Sequence, residues 1–338
     1  MNASMAWSRR RLLGTASVLM TSGLPPVAPV ASAADDPSLG AAECVIPARA
    51  GGGFELTCAL ANDALQRVRP SRPPLHGRPM PGGIGALAFD RVASGRLGGD
   101  GLLVAFSSGS LLNLAQGKFG RYDETDVRWL AGIGTDYGAI SVRADAPYQN
   151  LDDLIAAVKK DPSSVVFGAG ATIGGQDWMQ TALIARAAGV DPKKLRYVAF
   201  EGGGETLTAM LGGHVQVTSS GLGEVAPQLE AGKIRVLAVL SDDRLPGKLS
   251  ELPTAKEQGY DISWPVIRGF YMGPEVSDED FNWWKTQFDT LLADEDFATL
   301  REQRDLFPLS MTGDELTAFV NKQVADYKEL AGEFGLVK

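Results

Sequence analysis

From Glu43 onward, short runs of β-branched and aliphatic residues alternate with segments whose apolar positions recur every three or four residues. The breaks between them are rich in glycine, so the pattern predicts βα units built around mostly parallel sheets. A first strand from Cys44 to Ala48 meets Gly51-Gly52-Gly53 and a helix from about Phe54 to Val68. A second strand near Leu75 leads through Pro79 to Gly83 into a helix ending near Leu97. A third, Leu102 to Phe106, opens the next helix through Ser107-Ser108-Gly109-Ser110. Val127 to Ile133 and Ala139 to Arg143 read as two further strands, the latter ending near Pro147.

The alternation then restarts. Leu151 to Lys160, Gly174 to Ala188, Glu205 to Leu211 and Glu224 to Glu230 have helical spacing, with strands at Val165 to Gly168, Tyr197 to Phe200, Val215 to Thr218 and Ile234 to Leu240. Thr254 to Gln258 reads as a short helix and Trp264 to Met272 as an extended return segment. Helices follow at Asp278 to Leu292 and Asp314 to Glu333, the first with Phe281, Trp283, Trp284 and Phe288 as a core-facing set. The expected architecture is α/β with two lobes, each a mostly parallel sheet flanked by helices: 41–140 with 270–338, and 141–269.

The first 33 residues stand apart. Arg9, Arg10 and Arg11 precede a weakly apolar stretch that ends at Ala31-Ser32-Ala33, the pattern of an export signal. Gly14, Thr15, Ser17, Pro25 and Pro26 interrupt it, so it lacks the ~20 apolar residues of a membrane span. Ser8-Arg9-Arg10-Arg11-Leu12-Leu13 is similar to a twin-arginine signal, with ordinary secretion as the alternative route.

Export changes the reading of the two cysteines: in an oxidising compartment Cys44 and Cys58 can pair around the Gly51-Gly52-Gly53 turn, the alternative being two separate buried thiols. A net charge of −9 leaves no basic field for nucleic acid or an anionic membrane. Two cysteines and two histidines make a protein-built metal cage an unpromising reading.

Candidate chemistry lies in the turns. Where a strand passes through glycine or serine into a helix, the first N–H groups lack intrahelical partners and the helix dipole adds positive potential. Such turns hold carboxylate or phosphate, and in an α/β sheet they gather at one edge. The candidate turns are Gly51 to Phe54, Pro81 to Gly85 and Ser107 to Ser110 in the first lobe and Gly170 to Gly175, Gly202 to Glu205 and Ser219 to Gly223 in the second, with Gly52, Gly53, Phe54, Gly82, Gly83, Ser107, Ser108, Thr172, Gly174, Gly203 and Ser219 as their candidate ligand-binding residues. Arg268, inside the apolar stretch Trp264 to Phe270, must be paired or must face a cavity. It either grips a ligand carboxylate or forms an internal ion pair.

Catalytic motifs are missing: there is no G-x-S-x-G, H-E-x-x-H or G-x-x-x-x-G-K-S/T. His76 and His214 read as surface residues. Ile173 spoils a dinucleotide fingerprint after Gly168-x-Gly170. We expect no catalytic residue, cofactor or metal. The rival readings are an exported enzyme acting on a small acid or ester, and a sensor presenting its liganded state to a membrane kinase.

Glu43-Cys44-Val45-Ile46-Pro47-Ala48, Gly51 to Cys58, Arg78-Pro79-Met80-Pro81-Gly82-Gly83 and Arg268-Gly269-Phe270-Tyr271 together resemble the substrate-binding proteins of tripartite tricarboxylate transporters, the Bug-type family. The Cys-flanked glycine segment resembles its citrate-binding branch. The resemblance implies a periplasmic Venus-flytrap receptor, expected as a monomer, that closes on a di- or tricarboxylate and delivers it to membrane permease subunits. It also implies carboxylate contacts at Gly53, Phe54 and Glu55, at Ser107 and Ser108, and at Thr172, Gly174, Gln176 and Asp177.

Overall fold

The computed structural model describes residues 42–49, 51–69, 73–170 and 172–337. The proposed export signal lies outside them.

Ten strands form one continuous sheet whose order is β2-β1-β3-β9-β4-β7-β5-β6, with β8 and β10 on β4. At one end β1 (Glu43–Ile46) pairs in parallel with β2 (His76–Pro79) and β3 (Leu102–Ser107). At the other, β5 (Val166–Ala169) pairs in parallel with β6 (Arg196–Ala199) and β7 (Val217–Gly221). These parallel ladders are the βα units predicted by the alternating pattern. The centre is antiparallel: β9 (Pro265–Met272) lies between β3 and β4 (Arg128–Arg143), and β8 (Ile234–Val239) and β10 (Met311–Thr312) add to β4.

β4 corrects the expectation of two strands. Its Gly134 to Gly138 stretch stays extended because β9 supplies the pairing, Asp136 opposite Val266, with bulges at Trp129/Ala131 and Gly132/Gly134. Residues up to Tyr137 pair with β9, and those from Gly138 pair with β7 and β8, so this one strand links the two parallel ladders.

Helices begin at strand ends: α1 (Gly53–Val68) after β1, α2 (Ala86–Ala93) after β2, α3 (Ser108–Ala115) after β3 and, beyond α4 (Leu151–Lys160), α5 (Gln176–Ala187) after β5. α6 (Gly203–Leu211) follows β6 and α7 (Leu222–Glu230) follows β7. Ser107 caps α3, accepting the Gly109 N–H at 3.2 Å. α8 (Asp278–Leu292) packs Phe281, Trp284 and Phe288 inward as expected, Phe288 against Phe270. α9 (Glu295–Glu302) is unforeseen, since Phe297 and Leu300 are the only apolar residues on its buried face, beside Arg301. α10 (Gly313–Glu333) packs against α3 and β4. Thr254 to Gln258 forms no helix: Thr254 instead bridges Val239 in parallel. Cys44 and Cys58 form a disulfide that ties β1 to α1 around the glycine turn. No described helix is long and apolar enough to cross a membrane.

Candidate functional site

The starts of α1, α3, α5, α6 and α7 converge on one narrow cleft, whose lining includes Gly53, Ser107, Gln176, Asp177, Gly203 and Arg268. Its free volume is about 40 Å³, a few times the ~10–15 Å³ that one water needs. Arg268 projects from β9 into the floor, 2% exposed. Its Nη2 donates to Asp136 Oδ2 at 3.1 Å and to Glu224 Oε1 at 3.2 Å. The internal ion pair, one of the two readings of Arg268, is formed. Its Nε has no partner among the described residues.

Glycine is required at the neighbouring helix starts because these side chains fill the space above them. A Cβ on Gly53 would overlap the Arg268 guanidinium, and one on Gly203 would overlap Glu224. Ile84, which also lines the cleft, is held at φ 46, a conformation costly for a β-branched residue.

The turn amides are indeed aimed inward, and the chain's own acceptors occupy many of them. The Gly53 N–H donates to Glu224. The Gly170 N–H donates to Asp177 Oδ2 at 2.9 Å, and the Gly109 N–H to Gln176 Oε1 at 2.8 Å. Asp136 accepts from Tyr137 N–H at 2.7 Å and Gly223 N–H at 3.3 Å. Helix-start potential that would draw a ligand anion is therefore already met by internal carboxylates.

Those carboxylates outnumber the cations. Burial raises the pKa of Asp136 and of Glu224, with Arg268 working against the rise. Burial, followed by repulsion from Glu224, brings Asp177 to about 7. Burial opposes the charge on Arg268, yet Asp136 and Glu224 hold its pKa above the usual value. With Asp136, Asp177 and Glu224 around one arginine, the cleft is electronegative whenever all of them are ionised.

Of the sequence candidates, Gly52, Gly53, Phe54, Ser107, Gln176, Asp177, Gly203 and Arg268 come together here. The others do not line it. Glu55 turns back to the Gly51 N–H. Gly82 and Gly83 pack on Leu87 and Ala86, leaving Ile84 to face the cleft. Ser108 is locked to β9, accepting from Ile267 N–H at 2.9 Å and donating to the Pro265 carbonyl at 3.1 Å. Thr172 is exposed, Gly174 packs by Gln116 and Lys118, and buried Ser219 bonds Thr181 at 2.9 Å. His76 and His214 are exposed. Among the described residues no group of His, Cys, Asp or Glu is placed to hold a metal ion. Glu224 and Asp136 were missed.

The cleft lies at helix starts on strand ends, and a comparison with known proteins assigns the chain to a family. Residues 77–336 match the family described as the tripartite tricarboxylate transporter family receptor. The chain belongs to that family. Its members are receptors rather than enzymes. A curated relative, a UPF0065 protein of Bordetella bronchiseptica, is 28% identical over 66% of this chain, a match spanning 64% of the relative's length. Among solved structures, the periplasmic binding protein BugD superposes with a TM-score of 0.78 at 21% identity, covering 88% of this chain and 98% of BugD. Rpa4515 of R. palustris, solved with adipate, has a TM-score of 0.78 at 22% identity, covering 89% of this chain and 99% of its own. The receptor fold is thus shared over almost the whole described chain.

Proposed function

We propose that this protein is a periplasmic receptor that binds a small dicarboxylate in the cleft and passes it to the membrane components of a tripartite transporter. The lobes, 41–140 with 270–338 and 141–269, swing apart to admit the ligand and close over it. The observation that carries the reading is Arg268, buried where the helix starts converge and paired with Glu224, which the proposed ligand carboxylate would displace. α7 carries Glu224 on the second lobe, so opening withdraws it from Arg268 and Gly53, freeing donors for the ligand.

Charge balance favours two ligand carboxylates over three. A citrate-like trianion would face Asp136 and Asp177 with a single arginine to offset them, and each unneutralised pair at ~6 Å costs about 2–3 kcal/mol at an effective dielectric of ~20. The adipate found in Rpa4515 is consistent with this preference. An enzyme is unsupported, because both histidines are exposed and Ser107 is engaged as a helix cap. The test is calorimetry of unfolded, ligand-stripped and refolded protein with adipate, succinate and citrate. Binding of a dicarboxylate in preference to citrate is expected; no binding by any of them, or a clear preference for citrate, overturns the proposal.

A further inference from the structure

A second hollow, sharing no lining residue with the cleft, opens between the turn Gly247–Leu249 and the segment from the end of α9 to Pro308. At about 650 Å³ it falls within the ~300–1,000 Å³ range of small-molecule sites. Leu249, Leu306 and Phe307 give it an apolar wall, and Arg301 faces it from α9.

Arg301 is 7% exposed, and its Nη1 has no hydrogen-bond partner among the described residues. Burial pulls its pKa down. Its stem is fixed: the guanidinium lies 5.5 Å from the Phe297 ring, and Gly134 leaves room for Cδ, which a Cβ there would approach to 3.3 Å. Of the two acids in the lining, Asp305 is engaged by a lysine. Lys248 Nζ sits 3.0 Å from Asp305 Oδ1 and 2.6 Å from Glu230 Oε1, and Glu302 is exposed at the mouth.

A guanidinium taken out of water without an anion is strongly unfavourable, and arginines this deeply buried are almost always paired. An anion entering the hollow would supply the partner that Nη1 lacks among the described residues. Its chemistry follows from the surroundings: one negative charge at Arg301, an apolar body along Leu249, Leu306 and Phe307, and no second charge in a hollow already lined by exposed Glu302 and buried Asp305. We infer that this hollow binds a monocarboxylic acid with an apolar tail, its carboxylate held by Arg301. The inference is independent of what occupies the cleft.

Calorimetric titration of the full chain with octanoate, and separately with octan-1-ol, tests it. Octanoate is expected to bind, octan-1-ol to bind more weakly, and Arg301→Met to weaken octanoate by about tenfold or more while leaving octan-1-ol unchanged. Ala298→Trp, at an exposed α9 position lining the hollow, is expected to abolish octanoate binding by filling the space. Excess adipate is expected to leave the octanoate titration unaltered. If Arg301→Met does not fold, Ala298→Trp still localises the site. The inference is overturned if wild type binds no octanoate up to millimolar concentration, if octan-1-ol binds equally well, or if binding survives Ala298→Trp.

Discussion

Replacing Gly53 with alanine separates two opposing effects. An alanine near the start of a helix ordinarily gains about 0.5–1 kcal/mol over glycine. Gly53 does not have a positive φ, so the backbone accepts the change. The new methyl, however, would sit on the Arg268 guanidinium, far closer than the 3.0 Å that real Cβ atoms respect. Arg268 cannot give way at small cost, because it is 2% exposed and pinned between Asp136 and Glu224. Expelling it leaves two buried acids without their cation, a loss of about 3–5 kcal/mol for a broken buried pair.

The clash wins, with a net cost of about 2–4 kcal/mol, which at about 2–4 °C per kcal/mol lowers Tm by about 5–15 °C. The deficit should shrink as pH falls. Asp136 and Glu224 both have folded-state pKa values raised by burial, so the unpaired acids destabilise most when ionised and least when protonated. Thermal melts of Gly53→Ala at acidic and neutral pH, with Arg268→Met and the double variant completing a cycle, measure this. A coupling of at least about 1 kcal/mol between the two sites is expected. A Gly53→Ala protein that melts at or above wild type, or additive single effects, would refute the reasoning.

Three further outcomes follow from the same site. Glu224→Gln removes both a negative charge and the internal competitor for Arg268, so dicarboxylate affinity by calorimetry should rise about tenfold or more; unchanged or weaker binding counts against the exchange. Asp177 titrates at about 7, raised by burial and by Glu224, so protonating it removes a charge that opposes the ligand. Dicarboxylate binding should therefore tighten by about tenfold from pH 8 to pH 6, while stability of the unliganded protein declines as pH rises from 3.8 toward about 7; Asp177→Asn should flatten both profiles, and a persisting pH dependence would assign it elsewhere. Reducing the Cys44–Cys58 bridge, which closes a 14-residue separation, should cost about 3 kcal/mol of stability. Urea midpoints that coincide for oxidised and reduced protein would remove that contribution.

The strand–turn–helix alternation was legible because each parallel ladder is built from segments adjacent in sequence, whose apolar runs and glycine breaks record their own structure. β4 was not, because Gly134 to Gly138 looks like a break until β9 supplies its pairing partner from far along the chain. The same distance hid the acids of the cleft. Asp136 stands in what reads as a turn, 132 positions from Arg268, and Glu224 stands in the first turn of α7, where an acid complements the dipole of any helix. Nothing local distinguishes Glu224 from an ordinary helix-start acid. Its relation to Arg268, 44 positions away, exists only once β7 and β9 are both paired to β4.

If the cleft binds a dicarboxylate as proposed, that asymmetry bears on how it selects its ligand. Glycine turns announce donors, because a backbone N–H at a helix start is a property of the local chain. They do not announce acceptors, which arrive as side chains from elsewhere. Counting donors alone makes the cleft look like a general anion trap. With Glu224, Asp177 and Gln176 already seated on those donors, the affinity for any carboxylate becomes the difference between the ligand's contacts and the internal ones it displaces. A ligand gains only where it does more than Glu224 does, by reaching a second helix start with a second carboxylate while adding no third charge beside Asp136 and Asp177. On the proposed function, the internal acids would act as a filter on ligand charge and length, a property that no single turn in the sequence carries.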